Sequence, residues 1–357
     1  MIDWITAKLP CRHTPLKTGV VFSVDEDDQI EWECMKRKVV EGSYSSKVTV
    51  KSFGAKNGKA EYLLFSGNPS KGLQGHNVFG SDDAISLMYD MFKIIVDKLG
   101  IEPELSDLKK IRAGDYTISR IDINYMFVMK SRNESLAWLR AAEKKSRLRS
   151  GRAVFKGNTL YWGKESGKDG VESQRWIFKA YIKIIELESR KKMHRLPFEL
   201  EQTELKAWAE NKLRFELVLK QKELQERKLD KLNVINERVN GLFNEYMGRI
   251  NMSGQMVLTD DIFDGLPRQL QRTYLLWKDG VDVREKSKIS KASFYKHRTA
   301  LLNYGIDISM ECDTAVDTSN VVPLVRVIEA KPCAIPDWAF IEKLVHHSAT
   351  NNHLKVA

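Results

Sequence analysis

The sequence predicts an α+β fold: an antiparallel sheet with helices on one face, followed by a mainly helical C-terminal domain. Three observations carry this. Segments in the first two thirds of the chain alternate apolar and polar residues, so that side chains two apart share a face. A stripe at helical spacing runs from Ile85 to Leu99. From Lys222 onward the composition turns charged and helical. Crossovers through a long helix leave a mixed sheet open, and with it the strand order.

The elements follow in order. Met1–Pro10 has an early acid and no basic leader, and reads as a first strand. Val48–Ser52 and Glu61–Phe65 are strand candidates around the turn-like Gly54–Gly58. Ser81-Asp-Asp reads as an N-cap with two acids in the first turn. Ile85, Met88, Phe92, Ile95 and Leu99 then form a core-facing stripe that Gly100 stops. Ile118–Phe127 alternates Ile121, Ile123, Tyr125 and Phe127 against Arg120, Asp122 and Asn124. A helix from about Asn133 to Lys145 comes next, then a basic loop, 144–157, and Asn158–Gly163. After a Gly/Lys/Ser loop, Arg175–Glu186 carries Lys179, Tyr181 and Lys183 on one face. Residues 199–212 look helical, and Leu213–Leu219 then alternates Arg214 and Glu216 against apolar neighbours.

Lys222–Met247 reads as one connecting helix with Leu232, Ile235, Val239, Leu242 and Tyr246 as its stripe. The expected domains are therefore 1–222, a link over 223–250, and a helical domain over 251–357. Within the last, Ser287–Gly305 has the pattern of a short helix, a turn and a recognition-type helix ended by Gly305. Phe294, Ala300 and Leu301 would face its core; Lys291, Lys296, His297 and Arg298 would be exposed. The competing reading is a plain helical packing module. Val321–Ile328 is a strand-like apolar run.

Charge narrows the function. The chain carries a net +10, and residues 130–195 hold 18 Lys and Arg against 7 Asp and Glu, a local surplus of 11. Such a concentration attracts polyanions, and interleaved aromatics favour nucleic acid over a merely solubilising surface. No run of 18 apolar residues suggests a membrane span. Cys11, Cys34, Cys312 and Cys333 form no CxxC, so a reducing compartment is expected. The absence of GxxxxGK[ST] disfavours an ATP-driven helicase.

If the three polar-faced strands share a sheet, carboxylates, cations and a tyrosine converge on one surface. That set suits metal-assisted attack of tyrosine on a phosphate. A phenol ionises near pH 10 and needs activation. A phosphotyrosine conserves the energy of the broken phosphodiester, so the step is reversible without ATP.

Five stretches resemble the filamentous-phage gene II replication initiators. They are Leu73-Gln-Gly-His-Asn-Val-Phe-Gly80, Ile118-Ser-Arg-Ile-Asp122, Lys179-Ala-Tyr-Ile-Lys183 with Glu186-Leu187, Leu213-Arg-Phe-Glu216 and Asn320-Val-Val-Pro-Leu-Val-Arg326. The likeness runs in order across nearly the whole chain. The Arg-Ile-Asp, Thr-Leu-Tyr-Trp-Gly and Arg-Phe-Glu segments are also similar to plasmid rolling-circle initiators of Gram-positive bacteria. The resemblance implies a site-specific endonuclease and strand transferase that nicks one strand at a phage origin and rejoins the displaced strand. It implies double- and single-stranded origin DNA as ligand, host replicative helicase and polymerase as partners, and the host bacterial cytoplasm as location. It also implies a separate product begun internally, for which Met247, Met252 or Met256 are candidate starts.

Tyr181, between Lys179 and Lys183, matches the family's catalytic Tyr-X-Lys position and is the first candidate nucleophile, with Lys183 assisting. Tyr161 is the rival, matching the plasmid group. The alternatives are a half-buried strand tyrosine and an edge aromatic that stacks on a base. Asp122 leads the candidate ligands for Mg²⁺ or Mn²⁺, since a charge in an apolar strand needs a compensating partner; a salt bridge to Arg120 or Arg214 would also serve. Glu216 and Glu186 follow, then His76 in its Gly-flanked loop, with Asp3 weaker. The His-hydrophobe-His pair of many rolling-circle initiators is absent. Expected DNA contacts are Arg120, Arg175, Lys179, Lys183, the basic loop with Arg152 and Lys156, and Lys291, Lys296 and Arg298. Trp162 and Trp176 would stack on bases or pack. The second function class is a non-catalytic origin-binding regulator, in which Asp122 and Glu216 are structural.

Overall fold

The computed structural model describes residues 1–148, 151–163, 173–191, 194–252, 263–286, 289–303, 306, 308–309 and 332–346. One sheet dominates. Its strands are β1 (Ile2–His13), β2 (Lys38–Glu41), β3 (Lys47–Lys56), β4 (Lys59–Gly67), β5 (Thr117–Val128), β6 (Val154–Lys156), β7 (Thr159–Trp162), β8 (Trp176–Ile182) and β9 (Lys212–Lys220). They lie in the order β6-β7-β8-β9-β5-β1-β4-β3-β2. Each of these ladders is antiparallel. A separate hairpin pairs Val20–Val24 with Ile30–Met35.

Alternation places Ile5, Ala7 and Leu9 of β1, Ile121 and Ile123 of β5, and Phe215 and Leu217 of β9 in one apolar core. Against it packs α2 (Ala84–Leu99), whose Met88, Phe92 and Ile95 are buried. Its N-cap is Asp83 rather than Ser81: the Asp83 carboxylate accepts from Ser86 N at 3.0 Å. Gly100 ends it at φ +61°. Before it lies α1 (Pro69–Gln74), capped by Asn68, and after it α3 (Leu105–Arg112). The β3–β4 turn is tighter than Gly54–Gly58: only Asn57 and Gly58, both at positive φ, leave the strands. That is the two-residue geometry that Asn-Gly favours.

Further helices are α4 (Arg132–Lys145), α5 (Lys183–Leu187), α6 (Phe198–Glu201) and α7 (Leu205–Ala209). In place of one connecting helix come three, α8 (Gln221–Glu226), α9 (Leu232–Asn236) and α10 (Val239–Met247). Lys228 at φ +56° breaks the first interval. All three bury side chains in the sheet's core, among them Leu224, Ile235 and Phe243, so packing rather than length stabilises them.

A second, smaller core joins α11 (Arg268–Lys278), α12 (Val283–Lys286) and α13 (Lys291–Leu302) through Tyr274, Trp277, Val283, Phe294 and Leu301. Lys291 and Lys296 are exposed as expected. Arg298 is not: it is half-buried, its Nε 3.3 Å from Ser309 Oγ. His297 is likewise half-buried, its Nδ1 2.9 Å from Thr273 Oγ1. Gly305 and the 321–328 run lie outside the described residues.

The chain then returns to the first core. Cys333 N donates to Met126 O at 2.7 Å, beside the part of β5 that β1 does not reach. α14 (Asp337–Ile341) follows, and Ala339, Leu344 and Val345 are buried against the sheet's core. Among the described residues no helix is long and apolar enough to cross a membrane.

Candidate active site

The polar face of four neighbouring strands gathers the chemistry. Tyr161 on β7 stands opposite Lys179 on β8, Lys179 opposite Glu216 on β9, and Glu216 opposite Asn124 on β5. This row crosses the sheet. Asp122 lies two residues from Asn124 on the same face and so sits diagonally from Glu216. Tyr181, two residues from Lys179, stands opposite Arg214.

Two linked ionic groups result. In the first, Arg120 grips Asp122 with both prongs, Nε to Oδ1 at 2.7 Å and Nη2 to Oδ2 at 2.6 Å. Lys179 Nζ donates to Glu216 Oε1 at 2.5 Å, and the Tyr181 hydroxyl donates to Glu216 Oε2 at 3.3 Å. Burial pushes the Asp122 carboxyl up to about 7; the Arg120 pairing opposes this and the neighbouring Glu216 adds to it. Burial also pushes Glu216 upward, but the charges of Lys179 and Arg214 outweigh it and hold that carboxyl at about 2. The Tyr181 phenol is driven well above its ordinary range by burial.

The second group surrounds fully buried Arg214 and Lys183. Arg214 Nη1 donates to Asn77 O at 2.6 Å, and its Nη2 lies 3.1 Å from Asp3 Oδ1. Lys183 Nζ donates to Asn77 Oδ1 at 2.9 Å and Glu186 Oε2 at 2.5 Å. His194 Nδ1 is 3.0 Å from the other Glu186 oxygen. Burial lowers the affinity of Lys183 for its proton. Burial raises Glu186, yet Lys183, His194 and Arg214 together hold it far below the usual carboxylate range.

The expected ligand set is thus divided. Asp122 and Glu216 are brought together, whereas Glu186 is paired in the second group. His76 is engaged at both ring nitrogens: Nε2 meets Leu344 O at 2.8 Å, and Nδ1 accepts from Val78 N at 3.2 Å. That leaves no ring lone pair for a metal. Burial drops its pKa to about 4, so the ring is neutral. Among the described residues no group of three or more His, Cys, Asp and Glu could hold a metal ion.

The other expected residues fall on both sides of the chemistry. Trp162 is fully buried and donates Nε1 to Ser146 Oγ at 2.8 Å, so it packs and cannot stack on a base. Trp176 sits edge-on to Tyr246, ring centroids 4.9 Å apart. Arg175 Nε donates to Glu223 at 2.6 Å and its guanidinium also pairs with Glu226. Lys156 is exposed in β6, and Arg152 lies in a short strand that pairs with Ser146–Leu148 outside the main sheet. Sequence reasoning passed over Asn124, which is 2% exposed and whose Oδ1 has no hydrogen-bond partner. Its signal was available: it shares Asp122's face, two residues on.

Family models match in two parts. Residues 1–239 match the N-terminal part, and residues 258–345 the C-terminal part, of the replication-associated protein encoded by phage gene II. The replication-associated protein of this type from Enterobacteria phage I2-2 is 44% identical over 338 residues, covering 94% of this chain and 95% of that protein. A rolling circle replication initiator protein from Geobacillus stearothermophilus is similar in structure at a TM-score of 0.32 and 14% identity, over 73% of this chain and 89% of that one. By both family models and the phage relative, the chain belongs to the gene II replication-associated protein family.

Proposed function

We propose that this chain initiates rolling-circle replication by nicking one strand of the phage origin through a tyrosine. The phenol oxygen attacks a phosphodiester and the P–O3′ bond breaks; the phenol's proton passes to the departing 3′-oxygen, leaving a free 3′-OH, while the 5′-phosphate on the other side of the nick stays on the tyrosine. Attack by a 3′-OH on that phosphotyrosine reverses the step and closes the displaced strand. A 3′-OH serves as primer only where a polymerase extends it and a helicase unwinds ahead, so host replicative helicase and polymerase are the partners this reading calls for.

The observation that carries the reading is the row Tyr161–Lys179–Glu216–Asn124 with Asp122 beside it. Within it we assign the nucleophile to Tyr161 and not to Tyr181, departing from the order that the family resemblance and the flanking lysines imply. A nucleophile must meet a phosphate of a bulky duplex. Tyr181 is 8% exposed and its hydroxyl is turned to Glu216. Tyr161 is half-buried, near the sheet's edge, opposite Lys179 and on the strand next to exposed Lys156. Lys179 supplies the charge that offsets the developing phenolate. Tyr181 is then a positioning residue that orients Glu216.

Among the described residues, a hard divalent cation would find only two carboxylates and one amide oxygen here. Arg120, Lys179 and Tyr181 are already on the carboxylates, so water and substrate phosphate would have to complete its shell. Asp122 and Glu216 supply carboxylate oxygens, and the unpartnered buried Oδ1 of Asn124 supplies a neutral one, the oxygen donors that Mg²⁺ and Mn²⁺ prefer. Such an ion, when bound, polarises the scissile phosphate. Arg120, at the solvent edge of the pair, is placed to contact the flanking phosphates.

The test is nicking of supercoiled plasmid carrying the cognate origin, with Mg²⁺ and with EDTA, read on denaturing gels that retain a protein–DNA adduct. Metal-dependent nicking, with the adduct lost in Tyr161→Phe and kept in Tyr181→Phe, is the expected result. Loss in Tyr181→Phe alone would move the nucleophile to that strand. A folded wild type that binds the origin without nicking would sink the enzyme reading and leave the non-catalytic regulator.

A further inference from the structure

The polar face that carries the candidate active site does not end at β5. Asp122 stands opposite Trp4 of β1. Thr6, two residues on, stands opposite Ser66 of β4, and Ser66 opposite Thr49 of β3. Residues directly opposite share a face, as do residues two apart on one strand. The same face therefore continues over Lys8, Leu64 and Lys51, which are mutually opposite, and then over Tyr62 and Phe53.

The two sides of this half of the sheet differ. Leu9, Leu63, Phe65 and Val50 point the other way and are fully buried in the core. Trp4, Lys8, Tyr62 and Lys51 are half-buried, and Phe53 is 46% exposed. Three aromatic rings thus keep apolar area in water that a ligand could cover.

Each ring is paired with a cation. Arg120 Cζ lies 5.6 Å from the Trp4 ring centroid. Lys8 Nζ lies 3.9 Å from the Tyr62 centroid and 5.0 Å from that of Phe53. From Thr6 across to Phe53 the face carries no carboxylate on β1, β4 or β3. Acidity begins just beyond it. Glu33 of the hairpin lines a groove with Lys51 and Phe53, and residues 20–35 hold six Asp and Glu with no Lys or Arg. A phosphate chain would be drawn along the face and turned back at the hairpin.

Cations that track a backbone and open rings that stack on bases are what a single strand of DNA requires. A duplex keeps its bases stacked on one another, so such a face engages unpaired bases. From Trp4 to Lys8 the face runs about 13 Å along β1, and from β1 to β3 about 10 Å across, room for a few nucleotides.

We infer that the β1–β4–β3 half of this face is a docking track for the unpaired strand flanking the nick. Trp4, Tyr62 and Phe53 stack on its bases, and Lys8 and Lys51 hold its phosphates. The track rests on the tyrosine-nicking reading only for where the strand is cut.

Fluorescence anisotropy of the full chain with a labelled single-stranded origin oligonucleotide tests this. EDTA is present throughout, so that binding is read apart from cutting. Tyr62→Ala and Phe53→Ala should each weaken binding about tenfold, the worth of one stacked base. Lys8→Gln with Lys51→Gln should lower the slope of log affinity against log salt by about 1.4, as loss of two single-strand phosphate contacts does. A blunt duplex of the same sequence should bind both ring variants as it binds wild type. Phe53→Ala removes a ring already open to solvent, so its urea midpoint should match wild type and its loss of affinity reports contact rather than unfolding. Unchanged single-strand affinity in both ring variants, or equal losses on duplex and single strand, would overturn the inference. A wild type that binds the single strand through these rings yet never cuts the origin with Mg²⁺ would sink the nicking reading and leave the track standing.

Discussion

Tyr181 and Glu216 sit on adjacent antiparallel strands, and the phenol donates to Glu216 Oε2 at 3.3 Å while Lys179 holds the carboxylate's other oxygen. The bond fixes the carboxylate's orientation and commits the tyrosine to the interior. Removing the hydroxyl alone tests this division of labour. Tyr181→Phe should cost about 1 kcal/mol of stability, the usual worth of a buried hydrogen bond. It should lower nicking without removing the covalent adduct. Urea unfolding and the adduct gel read the two effects separately.

Asn124 has a defined orientation because its Nδ2 faces Met1 O at 3.3 Å, which accepts and cannot donate. The amide oxygen is thereby turned away from that carbonyl. Asn124→Ala should weaken Mn²⁺ binding about tenfold, measured by calorimetry on the DNA-free protein. Asn124→Asp should retain binding. Unchanged affinity in the alanine variant would remove this oxygen from the site.

The neutral His76 links the fold to pH. Its folded pKa of about 4 lies below the ordinary 6.5, so the unfolded chain takes up the proton first. The stabilisation is complete above about pH 6.5 and is lost as pH falls from there through 4. The full amount is roughly 3 kcal/mol. His76→Gln, which can still donate to Leu344 O, should show a flatter decline in urea midpoint between pH 7 and pH 5 than the wild type.

The helical module offers Lys291 and Lys296 to solvent, while Arg298 and His297 are tied to Ser309 and Thr273. If the module contacts the duplex, each exposed lysine neutralises a phosphate. Lys291→Ala and Lys296→Ala should each reduce the slope of log affinity against log salt by about 1, with affinity falling evenly across sequences. Arg298→Ala should leave the slope unchanged. Fluorescence anisotropy of an origin duplex over a salt series checks this.

The strands were legible because alternation is a local property. Asp122, Glu216 and Lys179 could each be placed on a polar face from their own neighbours. Where the strands lie across the sheet was not legible, and that decides burial. Tyr181 reads like Tyr161 in one dimension, yet Tyr181 is buried opposite Arg214 in the middle of the sheet, while Tyr161 is half-buried one strand in from the edge. The partner of His76 is 268 residues away, beyond any spacing rule. The Asp122 salt bridge to Arg120 was among the readings the sequence allowed, because the two share a face. Asp83 took the cap expected of Ser81, since the helix begins at Ala84 and only a residue just before it can reach Ser86 N.

The return of residues 332–346 to the first core has one further consequence. Ala339, Leu344 and Val345 are sheltered by elements that precede residue 250, and Trp338 rests edge-on against Phe79. A shorter polypeptide begun at Met247, Met252 or Met256 keeps these side chains and loses the groove that houses them. Its tail would be an orphaned plug, complementary to one socket only, the socket of the full-length chain.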